Sequence, residues 1–212
     1  MGNDIVTYPP RNETCSLDEA GDLFLITSGR VRLLVDNKTL GKTVSVACLG
    51  PGEAFGGDRS DHSLPYRARA AAPGQLVRLP YKAAERVLSQ QPSVLYQLQS
   101  RLRRQSQLAF FKQCTPLGVV PSLILSRRLL PRLVEQPLQA GKTLAQYPLT
   151  SGDYLWLRQG CLLNPAVPEG SPQVGEGWVY TISQRDWVTQ TDGLLYQLPC
   201  RTLEWNELKP LL

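Results

Sequence analysis

The chain has one histidine, His62, among its 212 residues. That scarcity removes most metalloenzyme chemistry, because a zinc or non-haem iron centre needs two or three imidazoles or a cluster of thiolates. The five cysteines, Cys15, Cys48, Cys114, Cys161 and Cys200, lie far apart and form no C-x-x-C pair. They read as reduced, mostly buried thiols of a cytoplasmic protein. Long hydrophobic runs are missing too. The apolar stretch QCTPLGVVPSLILS is broken by two prolines and is too short to cross a bilayer. No signal-peptide pattern opens the sequence, and Val6 stands where a myristoylation signal needs Ser or Thr. There is no Walker A phosphate loop, and no Ser-His-Asp or Cys-His arrangement can be built around His62. The expectation is a protein that is not an enzyme and that needs no cofactor or metal.

What is present suits a turn-rich globular chain. Hydrophobic residues make up 42%, and Gly and Pro each occur 17 times, against the composition of a disordered chain. The formal charge is +5, with basic clusters at Arg101–Arg104 and at Arg127, Arg128 and Arg132. Such clusters mark a nucleic-acid surface or simply solvated helix faces. Without a helix-turn-helix pattern, nucleic acid is not the expected partner.

Two stretches resemble each other. AGDLFLITSGRVRLL (Ala20 to Leu34) and SGDYLWLRQGCLL (Ser151 to Leu163) share Gly-Asp, an apolar run and a second Gly at equal spacing. Downstream, GEAF (Gly52 to Phe55) recurs as GEGW (Gly175 to Trp178), and LVRLP (Leu76 to Pro80) as LYQLP (Leu195 to Pro199). Upstream, RNET (Arg11 to Thr14) sits where AGKT (Ala140 to Thr143) sits later. The ordered set points to an internal repeat. LFLITSG and YLWLRQG read as short strands closed by glycine. Gly and Pro recur at intervals typical of an antiparallel roll.

Between the copies the period becomes helical. In PSVLYQLQSRLRRQSQLAFF, Leu95, Leu98, Leu102 and Ala109 share a face, and Pro92 suits a first helical turn. The leucine stripe packs either on its own domain or across a homodimer seam along helix 92–111. A second helical piece is expected over PSLILSRRLLPRLVEQ, Pro121 to Gln136.

The order strand, glycine turn, GPGEAFGG, the arginine-bearing YRARA, VRLPYKAAERVL, then Pro92 and a long helix, resembles the cyclic nucleotide-binding domain of the catabolite activator (Crp/Fnr) and protein kinase A regulatory-subunit superfamily. The resemblance covers about residues 8 to 111, and more weakly about 135 to 212. It implies a mainly β protein with helices: two tandem double-stranded β-helix, jelly-roll-like and cupin-like β-rolls, with residues 1–112 and 113–212 as domains. The run LPRLVEQPLQAGKTLAQ before GDYLWLRQG is similar to the tandem N-terminal domains of cyanobacterial peptidase-containing ABC exporters. That likeness implies a regulatory segment at the cytoplasmic face of the membrane, with downstream transporter domains or another protein as partner. The closing EWNELKPLL falls opposite the short helix before Pro92, so the sequence stops where a second long helix is expected.

In the family, a phosphate cassette supplies backbone N–H groups, an arginine for the phosphate and a glutamate for the ribose hydroxyl. Here the candidate cassette residues are Phe55, Gly56, Gly57, Arg59, Ser63, Arg67 and Arg69. Phe55-Gly56 matches, but Gly57 takes the glutamate's place, and the arginine's place falls near Leu64. Losing both groups weakens binding by roughly 3–6 kcal/mol. Arg59 is the best substitute. Arg67 and Arg69 lie two apart on a strand and therefore on one side. In the second copy Trp178 takes the aromatic place, and Arg185 is the only arginine before LLYQLP. Trp156, Trp178, Trp187 and Trp205 are expected in the core or at an interface. The function implied is a non-catalytic sensor or docking module that does not bind cyclic nucleotide in the usual way. The alternatives are a Crp/Fnr-type transcriptional regulator, which needs a winged helix-turn-helix, and an enzyme on a cupin-like roll, which needs a metal.

Overall fold

The computed structural model describes residues 21–38, 40–57, 66–166 and 168–201, together with the backbone of 4–8 and 14–15. The architecture is mainly β with a few helices. Contacts divide the chain into two compact units, Met1–Gln113 and Cys114–Leu212.

The first unit is built on two long strands. These are β3 (Asp22–Asn37) and β6 (Arg67–Pro80), paired antiparallel. Around them stand β1 (Asp4–Tyr8), β2 (Thr14–Cys15), β4 (Lys42–Leu49) and β5 (Ala54–Gly56). The sheet order is β1-β6-β3-β4, with β2 on β6 and β5 on β3. The β3–β6 register breaks around Ser28 and Arg30, where Gly29 and Gly74 bring the two backbones together. Gly29 has φ +79°, and a Cβ there would strike the Pro73 carbonyl. A Cβ on Gly74 would strike the Ser28 carbonyl. This close approach bends both strands, so one end of β3 pairs with β5 and the other with β4.

Alternation places Leu33, Val35 and Val46 in the core and leaves Arg30, Arg32 and Thr43 outside. Phe24 stacks on Phe55 across β3–β5, with centroids 5.2 Å apart. Helix α1 (Tyr81–Leu88) starts directly at the end of β6, where the Tyr81 N–H donates to the Gly21 carbonyl at 2.7 Å. Helix α2 (Pro92–Cys114) follows, with Pro92 in its first turn. Leu98 and Leu102 pack against Leu23, Ala54 and Tyr81 of their own unit. Two members of the leucine stripe, Leu98 and Leu102, thus pack within their own unit.

The second unit opens with a 3-10 turn over Pro116–Val119, followed by α3 (Ser122–Ile124), which continues as a π turn over Leu125–Leu129 and a 3-10 turn over Leu130–Arg132. The expected helix to Gln136 is cut short. Pro131 has no N–H to donate, and β7 (Val134–Leu138) is drawn into a sheet instead. The remaining strands are β8 (Tyr154–Gln159), β9 (Leu162–Leu163), β10 (Gly177–Val179), β11 (Val188–Thr189) and β12 (Gly193–Leu198). Their orders are β10-β8-β12-β7 and β11-β9. Leu138, Leu144, Leu155, Leu157, Leu162, Tyr180 and Leu195 form the core.

Within each unit the same contacts hold the same motif positions. Asp4 stands opposite Arg78 and Tyr8 opposite Gly74; Val134 stands opposite Gln197 and Leu138 opposite Gly193. Phe55 faces Phe24, and Trp178 faces Leu155. The Gly52 N–H donates to Ile26 O at 2.8 Å, as Gly175 N–H does to Leu157 O at 2.8 Å. Glu53 Oε2 accepts the Gly50 N–H at 2.7 Å, and Glu176 Oε2 accepts the Gln173 N–H at 2.9 Å. Gly160 meets Gly193 as Gly29 meets Gly74.

The cysteines depart from the expectation of burial. Cys48 and Cys161 are exposed, and Cys114 and Cys200 are partly so; all four are free thiols. Cys48 lies opposite exposed Arg32 on the outward side of β4, so strand alternation overrides the usual preference of the thiol for the interior.

Replacing Gly74 with Ala is expected to destabilise the first unit by about 1–3 kcal/mol, because neither backbone can retreat. Urea unfolding reads this as a lowered midpoint, whereas Gly41→Ala, with nothing near its Cα, is expected to show only the smaller cost of its positive φ.

Candidate functional site

The site suggested by the sequence begins at a turn. Gly52, at φ +81°, lets the chain reverse, and the Glu53 carboxylate is spent on the Gly50 N–H. Next comes β5. Gly56, at φ +94°, tolerates no Cβ, which would strike the Asp22 carbonyl. Gly57, at φ +118°, donates its N–H to Asp22 O at 2.9 Å. A side chain on Gly57 would begin 3.3 Å from Leu102 Cδ1 of α2. The glutamate of the family pattern is therefore missing from a place where helix packing and backbone conformation both favour glycine.

The Gly56 N–H donates to the hydroxyl of Tyr66 at 2.7 Å. Tyr66, just before β6, is partly buried, and burial pushes its pKa up to about 12, although the bond from Gly56 pulls the other way. Both amides after Phe55 are thus engaged by the chain itself. From α2, Gln105 Nε2 donates to Ala54 O at 2.9 Å, tying the helix to the strand that leads into the loop. The other amide atom of this buried side chain, Gln105 Oε1, has no partner among the described residues.

The arginines on β6 face away. Arg67 Nη2 lies 2.5 Å from Asp36 Oδ1 and 3.1 Å from Thr43 Oγ1 on the exposed side of the sheet. Arg69 is exposed as well, opposite Arg32, while Ala68 between them points inward. The expected common side for Arg67 and Arg69 is the outer one. Arg59 and Ser63, with His62 and Leu64, lie outside the described residues. Of the sequence candidates, the structure brings Phe55, Gly56 and Gly57 together with Tyr66, a residue that sequence reasoning missed. A tyrosine in a polar loop carries no periodic or spacing signal.

A second feature also went unread, although its residues were inside the quoted motifs. Arg78 Nε donates to Asp22 Oδ2 at 2.5 Å. At the matching places of the second unit, Gln197 Nε2 donates to Asp153 Oδ2 at 2.6 Å. Asp153 is 1% exposed and also accepts the N–H groups of Thr150 at 2.8 Å and Cys200 at 2.9 Å. In the second unit the place of Gly57 is taken by Tyr180, whose N–H donates to Asp153 O at 2.7 Å. Its side chain is part of the core. Trp178 lies 6.1 Å from Trp187, and Trp156 is fully buried, as expected of core aromatics. Trp205 lies outside the described residues. Arg185 is exposed.

No protein-family model and no curated protein matches the chain. Solved structures do match. The regulatory domain of Toxoplasma gondii PKA with cAMP aligns over 99% of this chain and 80% of its own, at 13% identity and TM-score 0.38. The regulatory subunit of a cAMP-independent protein kinase A from Trypanosoma cruzi, bound to guanosine, aligns over 98% and 75%, at 15% identity and TM-score 0.40. The Thermus thermophilus catabolite activator protein aligns over 65% and 67%, at 24% identity and TM-score 0.38.

Two outcomes follow from these contacts. Replacing Asp153 with Ala leaves the buried Gln197 amide and the part-buried Thr150 and Cys200 N–H groups without this acceptor and is expected to cost about 1–3 kcal/mol in urea unfolding. For Tyr66, the folded-state pKa lies above the unfolded one, so the folded state holds the proton longer. Stability is expected to fall as pH rises from about 10 to about 12, and Tyr66→Phe should flatten that slope in thermal melts.

Proposed function

We propose that the chain is a non-catalytic regulatory or docking module made of two tandem cyclic nucleotide-binding-like rolls, and that it does not take up cyclic nucleotide in the usual way. The observation that carries this reading is the Tyr66 hydroxyl on the Gly56 N–H, the amide that follows the Phe of the cassette. A cyclic phosphate needs such amides free and a cation beside them. Here Gly57's N–H is also committed, and Arg67 is paired with Asp36 on the far side of the sheet. In the second roll Tyr180 stands where a small residue would leave room. The matched registers and turn contacts of the two units support their descent from one repeated roll. Partners, in this reading, are protein surfaces, including downstream domains of an ABC-type exporter at the cytoplasmic face of the membrane.

The test is titration calorimetry and thermal shift with cyclic AMP, cyclic GMP and cyclic dinucleotides. A ligand at 100 times its dissociation constant adds about 2.7 kcal/mol, which moves the melting temperature of a chain this size by roughly 5–10 °C. The expected result is no binding heat and no shift of that size. A cyclic mononucleotide that binds at micromolar concentration refutes the proposal.

A further inference from the structure

The net charge of the chain is not spread over it. Before Cys114 there are fifteen Lys and Arg against ten Asp and Glu; from Cys114 onward there are eight of each. Within the first unit, the helical arm from Tyr81 to Gln113 carries six basic residues and one acidic, Glu85. The formal +5 is therefore the charge of α1 and α2. Lys82, Arg86, Arg101 and Arg104 are exposed, and among the described residues none of their side chains has a hydrogen bond or ion pair. With Leu98 and Leu102 turned to the core, the 100° step per residue sends Arg101 and Arg104 outward.

The same arm holds every exposed large apolar side chain of the first unit among the described residues: Val87 at 68%, Val94 at 42% and Tyr96 at 72% exposure. All three lie within ten residues, at the corner where α1 hands over to α2. Unpaired cations on the same helical arm as exposed valine and tyrosine are the pattern of a helix corner that rests on a lipid surface. The charges are drawn to anionic headgroups, and the exposed apolar side chains at the two edges of that outward face, Val94 and Tyr96 lying about 160° apart round α2, dip into the interface. A nucleic-acid duplex accounts for the arginines but gives no role to the valines.

We propose that the α1–α2 corner docks on an anionic membrane leaflet. Among the described residues no helix is long and apolar enough to cross a membrane, so the contact is peripheral. It is electrostatic at first order and depends on salt.

The experiment is co-sedimentation of the full chain with sucrose-loaded vesicles, of phosphatidylcholine alone or with phosphatidylglycerol at about 7:3. Binding is expected only to the anionic vesicles at about 0.05 M NaCl and is expected to be lost at about 0.5 M. Each positive charge removed should lower partitioning roughly five-fold, so R101E/R104E should lower it at least twenty-fold. V87S/Y96S, with charge unchanged, should lower it several-fold, separating docking from general adhesion. If R101E/R104E fails to fold by circular dichroism, K82E/R86E carries the same test. The proposal falls if anionic vesicles sediment no protein at low salt. It also falls if the charge reversals leave binding intact, or if a short DNA duplex binds more tightly than the vesicles through the same arginines.

Discussion

Everything in the first unit hangs on the close pass of two backbones at Gly29 and Gly74. No residue with a Cβ fits at either place without moving a carbonyl. The pass bends β3 and β6 together, so that a single strand pair serves both ends of the sheet. Gly160 and Gly193 make a similar pass in the second unit, with the Cβ positions slightly less crowded. Hydrophobic burial stabilises the two units, but it does not choose where their strands approach so closely; backbone sterics do.

The bend sets the register, and the register sets the chemistry of the loop. With Phe24 opposite Phe55, the Asp22 carbonyl lies where it meets the Gly57 N–H. Leu102 of α2 then lies over Gly57, and Gln105 holds the Ala54 carbonyl. Tyr66 completes the closure from the start of β6. The amides of Gly56 and Gly57 are therefore both taken up by the fold itself. An empty anion cradle with a missing arginine would leave buried donors unpaired, at about 1–3 kcal/mol each. Here the tyrosine hydroxyl removes that cost for Gly56.

Much of this was legible where backbone geometry demands a particular residue. The Gly-Asp pairs, the glycine closing YLWLRQG and the Leu-Pro ends all announce turns and strand ends, and each sits where such a feature occurs, whereas Gly29 does not close LFLITSG: β3 runs on through it to Asn37, with only a shift of register. Period two placed Arg67 and Arg69 on one side, yet could not say which, because inner and outer sides differ only by neighbours distant in sequence. The helix expected to Gln136 failed for a similar reason. Leucines at helical spacing look alike whether or not a strand such as β12 waits to claim the next five residues. Asp22 with Arg78, and Asp153 with Gln197, were hidden in plain motifs. The two pairs share the aspartate but not its partner, an arginine in one and a glutamine in the other, although both tie the start of one strand to the end of its partner.

The two units thus make matching turn contacts with different side chains: the Tyr66 hydroxyl on the Gly56 N–H in the first, Tyr180 in the core of the second. The central claim is that the Tyr66 contact is built in. The most direct measurement is amide hydrogen exchange at Gly56, followed by NMR. The account predicts a protected amide in the native chain, unchanged by excess cyclic AMP and freed when Tyr66 becomes Phe. A Gly56 amide that exchanges freely in the native chain, or that becomes protected only when cyclic AMP is added, contradicts it.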